Sequence, residues 1–371
     1  MVCGSYHGGV SGLNGNFVGG KRQGVVDGIK VVEFELAYSN YQNFLQRSWI
    51  FFRFAFRSVV FALKTPCDLV FATTTPLTAG LPGIFARWLR NKPFVFEVRD
   101  LWPELPRAMG VITNPMVLWL MSVLEWLSYH SAHACIGLSP GIVEGIKKRA
   151  QSGKPIAMIP NGCDLQMFAP SGVPSLRPKD VLDTDLMAIF TGAHGIANGL
   201  DAVLDAAEIL KKRGRDDIKL VFIGDGKLKP ELCALAKNRQ LNNCIFLKPV
   251  PKTKLVQYML GADIGLMILA NVPAFYYGTS PNKFFDYLAI GLPVLNNYPG
   301  WLADMITTHK CGYVVEPDNP GLFADALEHA ADHREELNQM GIRSHALGRD
   351  CFDREKMASK FVGWLEQATT L

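Results

Sequence analysis

The feature that most restricts this chain is a repeated alternation. Short runs that are apolar at every position are followed by longer stretches with helical spacing, in two successive series. A strand that is apolar throughout is buried on both faces, so helices must cover both sides of a parallel sheet. A sheet with one wet face alternates apolar and polar residues instead. In the first series the predicted strands are residues 30–36, 68–74, 93–99, 134–139 and 156–160. Helical stretches lie between them at 43–63, 76–90, 115–131 and 140–150.

Residues 169–185 (APSGVPSLRPKDVLDTD) then break the pattern with Pro, Ser, Asp and Gly and no period, as an interdomain linker does. The alternation restarts with strands at 186–191, 219–223, 244–247, 264–269, 293–296 and 312–315. Helices open near Gly199, Pro230, Lys252, Pro281 and Trp301, and further helices fill 320–369. The predicted fold class is α/β, with two Rossmann-like doubly wound domains and a cleft between them. The first domain takes residues 1–168, the linker 169–185 and the second domain 186–351. Residues 352–371 form a last helix that packs back on the first domain. A length of 371 residues agrees with two cores of ordinary size.

Composition excludes several classes of function. A net charge of +4 is far below the basic surplus of a dedicated nucleic-acid binder, so no nucleic-acid partner is expected. The eight cysteines form no C-x-x-C pair and none stands near a His at zinc-ligand spacing. That argues for a reducing, cytoplasmic compartment without disulfides or a structural metal. The segment after Met1 has neither a basic nor an apolar leader pattern.

Residues 49–63 are the most lipophilic stretch, but Arg53 and Arg57 interrupt it, and it is too short to span a bilayer. Residues 41–64 carry Arg47, Arg53, Arg57 and Lys64 among many aromatics and no acid. Two readings stand. One is a helix lying on the anionic inner face of the plasma membrane, a peripheral attachment. The other is a buried crossover helix whose arginines snorkel. Trp119 and Trp126, with Met and Leu neighbours at helical spacing, read as core.

Three segments carry candidate chemistry. Thr191-Gly192-Ala193-His194-Gly195 ends a strand and precedes a helix, where glycines let backbone approach a ligand and a helix start favours phosphate. The alternative is an ordinary strand-to-helix turn. Ile223-Gly224-Asp225-Gly226 ends the next strand but is not G-x-G-x-x-G. Phe246-Leu247-Lys248-Pro249 puts no acid where a dinucleotide ribose needs one, so a nicotinamide site is not expected. The third segment is Ser280-Pro281-Asn282-Lys283-Phe284-Phe285-Asp286. Pro281 preorganises a helix start, Lys283 stands in its first turn, and Asp286 lies one turn on. A cation, an exposed helix start and a carboxylate suit a nucleoside diphosphate. A solvated helix with a Lys and an Asp is the plain alternative.

With Ile159-Pro160-Asn161-Gly162-Cys163-Asp164 and Ile223-Gly224-Asp225-Gly226, the third segment resembles the family 4 (group 1) retaining glycosyltransferases of the GT-B fold. Phe96-Glu97-Val98-Arg99-Asp100-Leu101-Trp102-Pro103-Glu104 resembles the branch that builds bacterial O-antigen and capsule, often from amino-sugar donors. The resemblance covers nearly the whole chain, with its motifs in the family's order.

The resemblance implies a UDP-sugar donor, no cofactor and no metal, and a lipid-linked glycan acceptor. The donor phosphate itself takes the acceptor's proton, so no protein nucleophile is needed. Asp286 matches the second acid of the family's E-x7-E motif, which holds the ribose, whereas the first acid falls on Gly278. The family's phosphate-binding Arg and Lys fall on Ala193 and Asn198. Lys283 then replaces the missing charge, and a protonated His194 contributes as a second, catalytic cation. Gly192, Gly195, Asn198 and Gly224 frame the diphosphate. Lys248 and Pro249 begin the 248–251 segment, where the backbone meets the nucleobase. Asp100 takes the acceptor-side polar position, against the plainer reading of a cap or an ion pair with Arg99.

Asp183-Thr184-Asp185 mimics a metal-binding D-x-D but lies in the linker. Met1-Val2-Cys3-Gly4 resembles the end of the family's second strand, so a first strand, glycine loop and helix are expected upstream. Two other readings accompany the enzyme. One is a non-catalytic nucleotide-sugar-binding remnant, the other a UDP-sugar 2-epimerase of the same fold.

Overall fold

A computed structural model describes every residue except 7–10, 40–41, 169–171 and 371. The first residue of the basic aromatic stretch, Tyr41, and the first three of the linker lie outside the described residues. The chain divides into two compact units. One comprises Met1–Gly137, Ile142–Met158 and Gly363–Leu371, and the other Leu138–Gly141 and Ile159–Val362.

The first unit runs β1 (Val2–Tyr6), β2 (Lys21–Val26), β3 (Ile29–Tyr38), α1 (Phe44–Lys64), β4 (Val70–Thr73), α2 (Leu81–Arg90), β5 (Phe94–Val98), α3 (Glu104–Ala108), α4 (Pro115–Ser131), β6 (Ala134–Gly137), α5 (Pro140–Arg149) and β7 (Ile156–Met158). Strands β4-β5-β6-β7 form a parallel sheet, and β1-β3-β2 a second one in which β1 is parallel and β2 antiparallel to β3. Phe94, Val95 and Phe96 of β5 and Ala134, Cys135 and Ile136 of β6 are wholly buried. Central strands covered on both faces leave no position for a polar residue, and this gives the unbroken apolar runs.

The β2–β3 hairpin was not expected. Its turn is Asp27-Gly28, both residues at positive φ (48° and 79°), the conformation a two-residue hairpin turn requires. That dipeptide is the signal that would have found it. Asn114 caps α4, accepting from the Met116 and Val117 amides at 3.0 and 3.3 Å, with Pro115 fixing the first turn.

Trp119 and Trp126 of α4 are not core. They are 63 % and 50 % exposed. This helix is apolar around most of its circumference, and periodicity cannot then tell the packed face from the open one.

The second unit contains β8 (Leu186–Thr191), α6 (Asp201–Lys212), β9 (Ile218–Ile223), α7 (Lys229–Asn238), β10 (Cys244–Leu247), α8 (Lys252–Leu260), β11 (Ile264–Met267), α9 (Pro273–Gly278), α10 (Asn282–Ile290), β12 (Val294–Asn296), α11 (Trp301–His309), β13 (Gly312–Val314), α12 (Pro320–Asp332) and α13 (Arg334–Cys351), and α14 (Arg354–Thr370) begins in it. Its six strands are all parallel, in the order β10-β9-β8-β11-β12-β13. In sequence terms this is 3-2-1-4-5-6, the doubly wound dinucleotide-fold order, which reverses between β8 and β11.

Residues 172–185 hold no regular element, yet they are tied down. Arg177 donates to the Leu182 and Asp185 carbonyls and to Asp263 at 2.8 Å, and the Leu176 amide donates to the Gln257 carbonyl. Asp185 of the D-x-D look-alike accepts from the Leu182 amide, a turn-closing role.

Behind the reversal point, the Tyr287 phenol of α10 is fully buried. It donates to the Ile189 carbonyl of β8 at 3.1 Å, lies 3.4 Å from the Leu266 carbonyl of β11, and accepts from the Thr191 amide at 3.2 Å. Its ring lies over Gly265 of β11, where a Cβ would stand 2.7 Å from the ring carbons. Only glycine leaves that space.

Candidate active site

In a doubly wound sheet the carboxyl ends of the strands open a crevice where the winding reverses. Here that point is flanked by the turn after β8, which carries Gly192 to Asn198. Two glycines hold it in place. Gly192 (φ 140°) and Gly224 (φ 154°) bring the turns after β8 and β9 together so closely that a Cβ on Gly224 would fall on the Gly192 carbonyl oxygen. The Gly192 amide donates to the Ile223 carbonyl (3.0 Å) and the His194 amide to the Asp225 carbonyl (2.9 Å). Those two amides therefore hold the turns together. Gly195 has open space around its Cα, so its place in the turn imposes no glycine. Gly199 adopts a left-handed conformation (φ 52°) closing the short turn Ile196–Asn198, and α6 begins two residues later.

His194 departs from its expected role. Its ring is completely buried between Phe190, Phe222 and Phe246, with centroids 6.0 to 6.4 Å away. Burial, with the Lys229 charge nearby, pushes its pKa down to about 4. The imidazole is neutral at physiological pH. The expected protonated His194 is thus replaced by an apolar packing element that shapes the turn.

Lys283 stands in the first turn of α10, and its Nζ lies 3.1 Å from the Asn198 side-chain oxygen and 4.0 Å from the Phe190 ring centroid. A Cβ on Gly192 would stand 3.6 Å from the end of this lysine, so the absent side chain leaves the ammonium room beside the turn. Asn198 in turn donates to the Ala193 carbonyl at 2.7 Å, fixing its amide. Lys283 thus faces a neutral amide and an aromatic ring, and burial lowers its pKa to about 7. An ammonium so placed gains most from an incoming anion.

Asp286, one turn on, points elsewhere. Its carboxylate pairs with Lys252 at 3.9 Å, and Arg354 and Asp164 are near; burial raises its pKa above the usual carboxylate range. Lys248 and Pro249 are exposed in the loop between β10 and α8. Sequence reading passed over Lys229, in the first turn of α7. Its ammonium donates to the Gly224 and Leu247 carbonyls, both at 2.6 Å, and fastens the ends of β9 and β10. Its signal was a lysine three residues after the Gly224-Asp225-Gly226 turn.

In the first unit, Asp100 follows β5. It accepts from the Thr75 hydroxyl at 3.1 Å, and burial raises its pKa. Arg99 pairs with Glu97 at 3.5 Å. Thr75 itself holds φ at 91°, a conformation that costs a β-branched residue energy and that tends to persist at functional sites.

Residues 174–346 match the family described as glycosyl transferases group 1, and residues 6–162 match the glycosyl transferase 4-like domain. Each half of the chain thus matches a glycosyltransferase domain, and the fold is GT-B, with two Rossmann-like domains.

Among curated proteins it is similar to the D-rhamnosyltransferase WbpZ of Pseudomonas aeruginosa, 26 % identical over 44 % of this chain and 41 % of that protein. It is also similar to the D-inositol 3-phosphate glycosyltransferase of Nocardia farcinica, 26 % identical over 52 % of this chain and 44 % of that one. The match therefore spans less than half the length of these relatives.

Solved structures share the fold at low identity. The sucrose-phosphate synthase of Thermosynechococcus elongatus has a TM-score of 0.72 at 13 % identity, over 94 % of this chain and 85 % of that one. Anabaena HepE, solved in complex with UDP-glucose, has a TM-score of 0.67 at 16 % identity, over 85 % and 82 %.

Proposed function

We propose that this chain moves a sugar, an amino sugar in our reading, from a UDP-sugar to a lipid-linked glycan in bacterial surface polysaccharide synthesis. Transfer proceeds with retention of configuration. The observation that carries this is Lys283, a cation at the reversal point of the second sheet whose partners are a neutral amide and an aromatic ring. A nucleoside diphosphate supplies the anion it lacks. Asp286, with its raised pKa, is the acceptor for ribose hydroxyls. Neutralising the leaving diphosphate is the main charge stabilisation such a transfer needs. The UDP-glucose in the Anabaena structure supports a UDP-sugar donor. Asp100, held by Thr75, is the acceptor-side group in the first unit.

Calorimetry with UDP on the full chain tests the donor reading. Asp286→Asn is expected to weaken UDP by about 1–3 kcal/mol, the range for losing a hydrogen bond to a charged group. Unchanged affinity removes Asp286 from the site. Transfer itself is read with radiolabelled UDP-sugars and a membrane extract holding lipid-linked acceptor. Binding without transfer of any sugar favours the remnant.

The same proposal places the enzyme on the cytoplasmic face of the membrane as a peripheral protein. Among the described residues no helix is long and apolar enough to cross a bilayer. Trp49 and Trp88, on α1 and α2, are 60 % and 63 % exposed, like Trp119 on α4, and α1 packs on α2 and α2 on α4. Leu45, Trp49, Phe52 and Phe56 share one open face of α1. Of the three arginines there, Arg53 is exposed, while Arg57 donates to the Gly20 carbonyl at 2.8 Å and covers Phe34. Insertion of aromatics thus outweighs charge in this face.

Co-sedimentation with anionic vesicles is expected to fall only in part as salt rises, and to be lost in Trp49→Ser/Phe52→Ser. Arg57→Gln should lower thermal stability and leave vesicle binding intact. Absence of binding at low salt rejects the membrane placement.

A further inference from the structure

Asp286 lies among charged groups from three other segments. Lys252, the first residue of α8, has its Nζ 3.9 Å from Asp286 Oδ1. Arg354, at the start of α14, and Asp164, in the segment after β7, are the others. Arg354 is engaged by Asp164 in a close ion pair. Among the described residues this leaves Lys252 as the cation directed at Asp286. Cys163 stands nearby too, but burial pushes its thiol up to about 12, so it is uncharged.

The Lys252 ammonium also stands 5.2 Å from the ring centroid of Phe168, which is fully buried. In sequence it follows the 248–251 loop directly, the segment read as the seat of the nucleobase. One side chain thus joins the base loop, a fixed aromatic and the ribose carboxylate.

We propose that Lys252 is a positioning residue for nucleoside recognition. It rests on Phe168, pairs with Asp286, and aims that carboxylate at the two ribose hydroxyls. The inference rests on the reading of Asp286 given above. Physical chemistry makes the pairing matter, because burial and the like charge of Asp164 both push the Asp286 carboxyl upward. Without Lys252 they are opposed by Arg354 alone, and the carboxyl titrates at higher pH. An un-ionised Asp286 accepts poorly from hydroxyls. UDP affinity therefore falls as pH drops through its pKa, and that fall begins at higher pH once Lys252 is gone.

Calorimetry of UDP and 2′-deoxy-UDP with the full chain, from pH 5 to 8, tests this on wild type, Lys252→Met, Lys252→Arg and Asp286→Asn. The methionine keeps an apolar stem over Phe168, and thermal melts verify the fold of each variant. Lys252→Met is expected to weaken UDP about fivefold to tenfold at pH 6, as one lost charge interaction does, and to move the acid limb to higher pH. Lys252→Arg restores both. UDP's own phosphate titrates alike in all four proteins, so only differences between them count.

An unchanged affinity and acid limb in Lys252→Met, with Asp286→Asn still weakened, overturns the role of Lys252 and leaves the ribose reading standing. If Asp286→Asn keeps the full preference for UDP over 2′-deoxy-UDP, the ribose reading falls and the role of Lys252 with it.

Discussion

Affinity for UDP is expected to fall about tenfold for each pH unit above 7, and Lys283→Met to flatten that fall. In the free protein the Lys283 ammonium, half-buried against Phe190, has its pKa pushed down to about 7. A bound diphosphate favours the charged form and raises that pKa towards the ordinary lysine range. The sign follows. Below pH 7 lysine is charged before and after binding, so pH has little effect through it. Above pH 7 binding must take up a proton, and each further unit costs about 1.4 kcal/mol until the raised pKa is reached. The terminal phosphate of UDP, with a pKa of about 6, is already ionised there and adds no slope. Calorimetry at pH 7, 8 and 9 measures it, and in buffers of different ionisation enthalpy also counts the proton taken up. A flat profile in the wild type means that Lys283 does not meet the phosphate.

The second large effect is structural. Gly224→Ala is expected to lower unfolding stability by about 3 kcal/mol or more and to abolish UDP binding. Two causes add: φ at 154° is a region that L side chains rarely adopt, and the new methyl falls on the Gly192 carbonyl. Relief requires the turns after β8 and β9 to separate, breaking the hydrogen bonds that the Gly192 and His194 amides donate across them. Gly195→Ala is the control, since open space surrounds that position. Chemical denaturation of both variants distinguishes strain from a general intolerance of the turn. Equal stability of the two rejects the close approach.

Much of this was legible in the chain. The wholly buried strands β8, β11 and β6 announced themselves because burial on both faces leaves an unbroken apolar run. Asn114-Pro115 marked the start of α4, because a capping amide and a proline do the same local work in any context. Lys283 stood out as a candidate because a cation in the first turn after a proline is a local pattern.

Other features were hidden, each for a physical reason. Lys283 and Asp286 are three residues apart, and spacing suggested one shared face. The neighbours decide instead: Lys283 is drawn to Asn198 and Phe190, Asp286 to Lys252, and these partners lie 34 to 93 positions away in sequence. The neutrality of His194 depends on Phe222 and Phe246 from two other strands. The open face of α4 depends on which side α2 covers.

The Tyr287 phenol, wedged over Gly265 and bonded to β8 and β11, has a consequence for how such a site changes over time. It acts as a keystone, so α10 cannot slide or turn without unseating the two central strands. Lys283 and Asp286 are therefore held ready before any ligand arrives, and little ordering entropy remains to be lost on binding. A fixture of this kind also channels variation. On the proposed function, new donor preferences come from the turns at 192–198 and 248–251, where side chains can be exchanged without moving the helix that holds the charge.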